Sequence, residues 1–211
     1  MQKKLGLRKV LKTLDSFFKI SSEQKTLLKN YVFEIRKNQE KINLIGKSTL
    51  NHIWVRHIMD SMQIMRYLPT ENSGKLLLDV GTGAGFPGVV LFIMGRRNIM
   101  LCDKSLKKGH FLKKILKECS LDIKVYNNRI ESYFKNNIEV IVSRAFASLI
   151  KLLNSIYHLI TQETVLVVHK GKKHIQEIEE AKLLFAFKFE KFQSITCHEG
   201  VILRIKNIRK K

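Results

Sequence analysis

Apolar residues recur every third and fourth position through Leu7, Val10, Leu11, Leu14, Phe17 and Phe18. That period is the mark of one buried helical face. Ser21, with Gln24 three positions later, forms a capping-box pattern, so a second helix is expected to begin there. Its apolar stripe runs through Leu27, Leu28, Tyr31, Val32 and Ile35. A third helical run spans about Val55 to Tyr67 and stops ahead of Pro69, since proline pushes the preceding residue out of the helical region. Residues 70–74, Thr-Glu-Asn-Ser-Gly, read as a turn-rich junction. The chain is expected to divide there into an N-terminal helical extension, residues 1–70, packed on a main domain, residues 71–211.

From Lys75 the pattern changes. Short apolar runs at Leu76–Val80, Asn98–Cys102, Ile123–Tyr126, Val140–Ser143 and Val165–His169 read as strands. Helices fit between them at about 87–95, 106–119, 147–159 and 173–185. Strand–helix alternation implies a parallel sheet covered on both faces. Two further strand-like runs, Lys188–Cys197 and Val201–Lys206, are joined by His198-Glu199-Gly200 and predict a closing antiparallel hairpin. The expected fold class is α/β: a seven-stranded, mostly parallel, Rossmann-like sheet. No internal repeat is visible.

Composition narrows the function classes. The chain has 211 residues, enough to bury a core without disulfide or metal staples. No apolar stretch approaches the ~20 residues of a membrane span, and no continuous apolar segment follows the charges at the N-terminus. Cys102, Cys119 and Cys197 are odd in number and far apart, which argues against a disulfide framework or a zinc site. A cytoplasmic, metal-free protein is expected. Lysine plus arginine is 39 against 18 acidic residues, for a net charge of +21. Such an excess is the footprint of a polyanion binder. Of the 39 cations 29 are lysine, however, and drift in an AT-rich genome also favours Lys, Asn and Ile.

The sharpest motif runs Asp79-Val80-Gly81-Thr82-Gly83-Ala84-Gly85-Phe86-Pro87-Gly88, a glycine turn between a strand and a helix. In a doubly wound sheet that turn lies at the edge where ligands bind. Gly83-x-Gly85-x-x-Gly88 fits the dinucleotide fingerprint. Asp79-x-Gly81-x-Gly83-x-Gly85 fits an S-adenosylmethionine loop instead, with Asp79 orienting the loop or holding the methionine end through water. Asp103, after the second strand, suits ribose hydroxyls in either case. The closing hairpin and the short chain favour adenosylmethionine, and no Tyr-x-x-x-Lys pair supports an oxidoreductase.

The Asp79–Gly88 run resembles the signature of the bacterial RsmG (GidB) family. Other segments are similar and arrive in order: Ile42-Asn43-Leu44, Val55-Arg56-His57-Ile58-Met59-Asp60-Ser61, Ser143-Arg144-Ala145-Phe146-Ala147-Ser148-Leu149 and Lys170-Gly171. The resemblance covers roughly residues 5 to 206. It implies a class I methyltransferase fold and S-adenosyl-L-methionine as cofactor. The implied activity is methylation of guanine N7 in 16S ribosomal RNA, free or within the small subunit or its precursor. No membrane partner and no obligate protein partner are evident in the sequence, and a monomer is expected. The resemblance assigns Asp79, Gly81, Gly83, Gly85, Phe86, Asp103, Ile130, Glu131 and Arg144 to the cofactor. Arg144 could instead pair with an RNA phosphate, as a positioning group. Asn43, Arg56, His57, Lys107, Arg129 and Lys170 are the RNA candidates, and Lys172 a weaker one. Phe86 or Phe146 could stack a flipped-out guanine. Gly109 and His169 depart from the family's usual wording; Gly109 should cost its helix about 1 kcal/mol against alanine.

The residues agree with N7 chemistry. Exocyclic amine methylation commonly uses an Asn/Asp-Pro-Pro-aromatic loop, and the equivalent place here, Ser143-Arg144-Ala145-Phe146, has no proline. Pyrimidine C5 methylation needs a cysteine nucleophile, and Cys102 reads as core. The competing class is a basic RNA-binding protein that retains the fold without catalysis.

Overall fold

The structure is a computed structural model that describes residues 7–71, 74–134, 137–144 and 146–211, with side chains from residue 12 onward. Ala145, part of the 70–74 junction and the side chains of Leu7, Val10 and Leu11 therefore lie outside the described residues.

The helix α1 spans Leu7–Phe18 and α2 spans Ser22–Ile42. The capping box is formed: Gln24 N donates to Ser21 Oγ at 3.1 Å, and Ser21 N donates to Gln24 Oε1 at 2.9 Å. After a single turn, α3 (Lys47–Leu50), the third predicted helix is irregular. It runs as a π turn at Trp54–Met59, a short α segment α4 at Asp60–Met62 and a 3₁₀ turn at Gln63–Tyr67. An apolar stripe cannot distinguish these windings, because each buries one face.

The strands are β1 (Leu76–Val80), β2 (Ile99–Cys102), β3 (Lys124–Tyr126), β4 (Ile138–Ser143), β5 (Val165–Lys170), β6 (Phe185–Gln193) and β7 (Val201–Lys210). They form one seven-stranded sheet in the order β3-β2-β1-β4-β5-β7-β6. Strands β1 to β5 pair in parallel, and β7 runs antiparallel to both β5 and β6. This is the mostly parallel Rossmann-like sheet with a terminal hairpin that the sequence predicts. The remaining helices are α5 (Gly88–Ile93), α6 (Leu106–Glu118), α7 (Leu149–Ile156) and α8 (His174–Leu184).

Alternation within the strands builds two cores. Leu77, Val140, Val142 and Val167 join Leu14, Leu28, Tyr31, Ile58, Val89 and Leu112 on one face. Leu78, Val80, Ile141 and Val168 join Leu149, Leu153, Ile156 and Ile178 on the other. Burial on both faces is why these strands read as continuous apolar runs. The N-terminal helices thus share a core with the sheet.

The hairpin differs from its prediction. Strand β6 starts at Phe185, directly after α8, and ends at Gln193, not Cys197. Phe185, Phe187 and Phe189 carry a period of two that claims them for a strand. Beyond Gln193 the chain turns away to bond Gln63: Ile195 N donates to Gln63 Oε1 at 2.9 Å, and Gln63 Nε2 donates to Ser194 Oγ at 3.1 Å.

Candidate active site

The glycine turn between β1 and α5 is organised from below by Asp79. Its side chain is fully buried, and its Oδ2 accepts from Thr82 Oγ1 at 2.6 Å and from Gly88 N at 2.7 Å. Oδ1 is buried without a partner. Burial pushes the carboxyl up to about 7, against the opposing pull of the Thr82 and Gly88 hydrogen bonds. Asp79 therefore shapes the loop and does not form the cavity wall. Gly85 is also off the wall: a side chain there would meet Val89 Cγ2 at 2.6 Å and Tyr31 Oη at 2.7 Å. Tyr31 Oη donates to Ala84 O at 2.6 Å, so α2 props the loop from the N-terminal extension.

The raised Asp79 pKa makes a stability prediction. The folded chain retains a proton that the unfolded chain releases near its ordinary value, 3.8. This contribution is present below pH ~4 and is lost as pH rises through about 7. Asp79→Asn removes the titration. Its stability relative to wild type should improve by a few kcal/mol between pH 4 and pH 8, since a tenfold difference in proton affinity between the folded and unfolded chains is worth ~1.4 kcal/mol. Denaturant midpoints across that range measure it; a constant gap would contradict the assignment.

Above the loop lies a cavity of about 810 Å³ at the C-terminal edge of the strands. Gly81, Gly83, Val80 and Phe86 form one wall; Cys102, Asp103, Ile130 and Glu131 form another. Asp103 is locked in place: Oδ2 accepts from Gly83 N and Oδ1 from Ser105 N, each at 2.9 Å. Asn127 Nδ2 braces the same turn by donating to Asp103 O at 2.7 Å and Ser105 O at 3.1 Å. The space Asn127 occupies explains Gly109, where a Cβ would sit 2.1 Å from Asn127 Oδ1. Glycine is required there by close approach, whatever it costs the helix. Ile130 is buried and presents an apolar surface. Glu131 is exposed; its Oε1 accepts from Ser155 Oγ at 2.7 Å, a bond that holds its carboxyl below the usual range. Burial pushes the Cys102 thiol up to about 12, so it stays protonated and unreactive.

Arg144 closes the far side. Its Nη1 donates to Arg56 O at 3.0 Å and lies 3.8 Å from Asp60 Oδ2, while the guanidinium sits 4.9 Å from the Phe86 ring centre. Asp60 is itself gripped by Thr196 Oγ1 and by Gln63 Nε2, and its carbonyl meets His169 Nε2 at 2.7 Å. His169 thus closes the network that orients Arg144. Phe86 is buried against His57 and Tyr31, whereas Phe146 is 36 % exposed at the cavity mouth. Both aromatic candidates line the cavity, and Phe146 is the exposed one.

The RNA candidates separate. Arg129 is exposed and on the cavity wall. Asn43 is exposed but ends α2 as its left-handed cap, with Oδ1 accepting from Gln39 Nε2. Arg56 is exposed. His57 lines the cavity, yet it is buried, meets Thr49 Oγ1 at 2.8 Å and has its pKa lowered to about 3, chiefly by desolvation. It is a neutral structural histidine. One expectation needs correction. Lys170 is not free for phosphate: its Nζ donates to Glu177 Oε2 at 2.7 Å and Ala147 O at 2.8 Å, tying β5 to α8. Lys107 is exposed and outside the cavity lining, whereas its neighbour Lys108 lines the cavity, with Nζ 3.9 Å from where a Cβ on Gly83 would be. Lys172 is exposed and pairs with Glu199 at 3.4 Å. Sequence reasoning also missed Tyr31 as a loop support; a phenol inside an apolar stripe was the available signal, because a buried hydroxyl needs a partner.

These residues suit a nucleoside. Side-chain-free backbone at Gly83 admits close approach, whereas at Gly81 the Phe146 side chain takes that space; the Asp103 carboxylate can receive paired hydroxyls, and Ile130 offers an apolar surface to a base.

Known proteins converge on the same architecture. A mutant of MtNAS in complex with S-adenosylmethionine superposes with a TM-score of 0.62 at 13% identity, covering 97% of this chain and 85% of that one. A ribosomal protein L11 methylase from Lactobacillus delbrueckii gives 0.58 at 15%, covering 72% and 78%. At those identities the likeness is one of fold. Sequence is more specific. "Ribosomal RNA small subunit methyltransferase G" of Rickettsia felis is 39% identical over 176 residues, 83% of this chain and 90% of the relative. That of Rickettsia prowazekii is 38% identical over 192 residues, 91% and 98%. The family described as rRNA small subunit methyltransferase G, GidB, matches residues 24–206, a span that includes the Tyr31 prop, the glycine loop, Asp103 and Arg144. This chain belongs to that family.

Proposed function

We propose that this protein transfers a methyl group from S-adenosyl-L-methionine to N7 of a guanine in 16S ribosomal RNA. The observation that carries this reading is the meeting of the glycine loop, Asp103 and Arg144 on one cavity, in a chain of this family. Bound adenosylmethionine would supply an electrophilic methyl group on a sulfonium centre. Gly81, Gly83 and Phe86 would hold its methionine and sugar part, Asp103 its ribose hydroxyls, and Ile130 and Glu131 would flank its adenine.

Guanine N7 already presents an in-plane lone pair, so no proton must leave before attack. The chain's task is then to align the base, exclude water and fix charges. Orientation alone can supply roughly 7–11 kcal/mol of a barrier. His57, with a pKa near 3, and Cys102, near 12, are poor choices for base or nucleophile at neutral pH, which fits a reaction needing neither. Arg144 would repel a purine that becomes cationic on methylation. We place it on the cofactor carboxylate or an RNA phosphate, where its Asp60 and Phe86 contacts hold it still. Phe146 would stack the extruded guanine.

In this reading residues 1–70 form the helical extension and 71–211 the cofactor domain, and the enzyme acts as a cytoplasmic monomer. Among the described residues no helix is long and apolar enough to cross a membrane. The test is to incubate the protein with labelled adenosylmethionine and small-subunit RNA or particles, then map the modified nucleotide. Label in N7-methylguanosine is expected; label on an amine or a ribose would refute the proposal.

A further inference from the structure

The net charge of +21 is unevenly placed. Helix α6 carries five lysines, a histidine and a single glutamate, Glu118. Helix α8 carries three glutamates against one lysine. Composition drift would load both alike. Within α6, Lys107, His110, Lys114 and Lys117 are spaced three, four and three residues apart and are all exposed. That spacing puts them on one face, over about 15 Å at ~1.5 Å per residue. The apolar Phe111, Leu112, Ile115 and Leu116 face the core and fix which side of the helix meets solvent. The stripe starts at the site: Lys104 and Lys108, at the head of α6, both line the cavity. Among the described residues Glu118, 3.7 Å from Lys114, is the carboxylate paired along it.

We propose that this face of α6 is a phosphate track that binds the ribosomal RNA strand running from the target guanine, with Lys104 and Lys108 receiving the phosphates at the cavity mouth. It rests on the RNA-methyltransferase reading and gives that reading a docking direction. An exposed stripe in which cations outnumber carboxylates suits a polyanion, and each phosphate contact releases counterions and so steepens salt dependence.

The test compares two triple variants with equal loss of charge. One is Lys107→Gln with Lys114→Gln and Lys117→Gln. The other is Lys188→Gln with Lys191→Gln and Lys210→Gln, on exposed positions of the hairpin. Binding of 16S ribosomal RNA transcript is measured from low to moderate salt. The α6 variant should lose about two from the slope of log affinity against log salt, at ~0.7 per single-strand contact. The hairpin variant should keep the wild-type slope, and both should bind adenosylmethionine and melt as wild type does. A wild-type slope in the α6 variant, or equal losses in both, overturns the track. Methyl mapping on the wild-type enzyme is read separately, so a track that binds RNA without N7 methylation would sink the function and not the track.

Discussion

Gly81→Ala is expected to weaken adenosylmethionine binding by roughly 100-fold. The backbone at Gly81 has φ +70, a left-handed conformation that costs a side chain about 1–2 kcal/mol. The new methyl carbon would also sit 2.6 Å from Phe146 Cδ2 and 3.0 Å from Phe146 Cβ. Overpacking of that kind costs a further ~1–3 kcal/mol unless Phe146 moves. Phe146 lines the cavity, so relief by movement disturbs the same site. Where the free loop relaxes to relieve that strain, binding must restore it, and at about 1.4 kcal/mol per tenfold about 2.8 kcal/mol of it gives the predicted loss. Titration of the variant with adenosylmethionine, beside its melting curve, measures it. Wild-type affinity would show that the loop does not touch the cofactor.

The second large effect comes from a residue outside the cavity wall. Tyr31→Ala should cost the fold about 3–5 kcal/mol, as large aromatic truncations in cores do. Tyr31 is fully buried and its ring packs 5.4 Å from Phe86. At ~2–4 °C per kcal/mol for a chain of this size, the melting midpoint should fall by roughly 10 °C. Tyr31→Phe separates packing from hydrogen bonding. It keeps the ring but removes the donor to Ala84 O, at a cost of about 1–3 kcal/mol for a buried carbonyl losing its partner. Part of that cost should appear as weaker cofactor affinity, because Ala84 lies inside the glycine loop. Two variants that melt and bind as wild type would remove α2 from any role in the site.

Much of this was legible in the chain, and the failures have physical causes. The strands β1, β4 and β5 announced themselves because burial on both faces leaves few polar positions inside them. The glycine loop was legible because its chemistry is local. Lys170 was misread because its partner Glu177 lies across a turn, on the next helix, where sequence gives no distance. Lys107 and Lys108 differ by about 100° around a helix, and adjacent lysines do not say which of them looks inward. Gly109 reads in the sequence as a weak point of α6, because nothing local shows that Asn127, just after the next strand, fills the space of a side chain there. Asp79 illustrates the reverse: the motif located it correctly beneath the loop, but only the buried, half-satisfied carboxylate distinguishes a scaffold from a ligand.

The rest depends on the 810 Å³ cavity being an adenosylmethionine site. Calorimetric titration of the intact chain with adenosylmethionine, and separately with NAD, tests this most directly. One saturable site per chain for adenosylmethionine and none for NAD is the predicted result. Absence of adenosylmethionine binding, as expected of an RNA binder that has lost catalysis, or a preference for NAD, would contradict it.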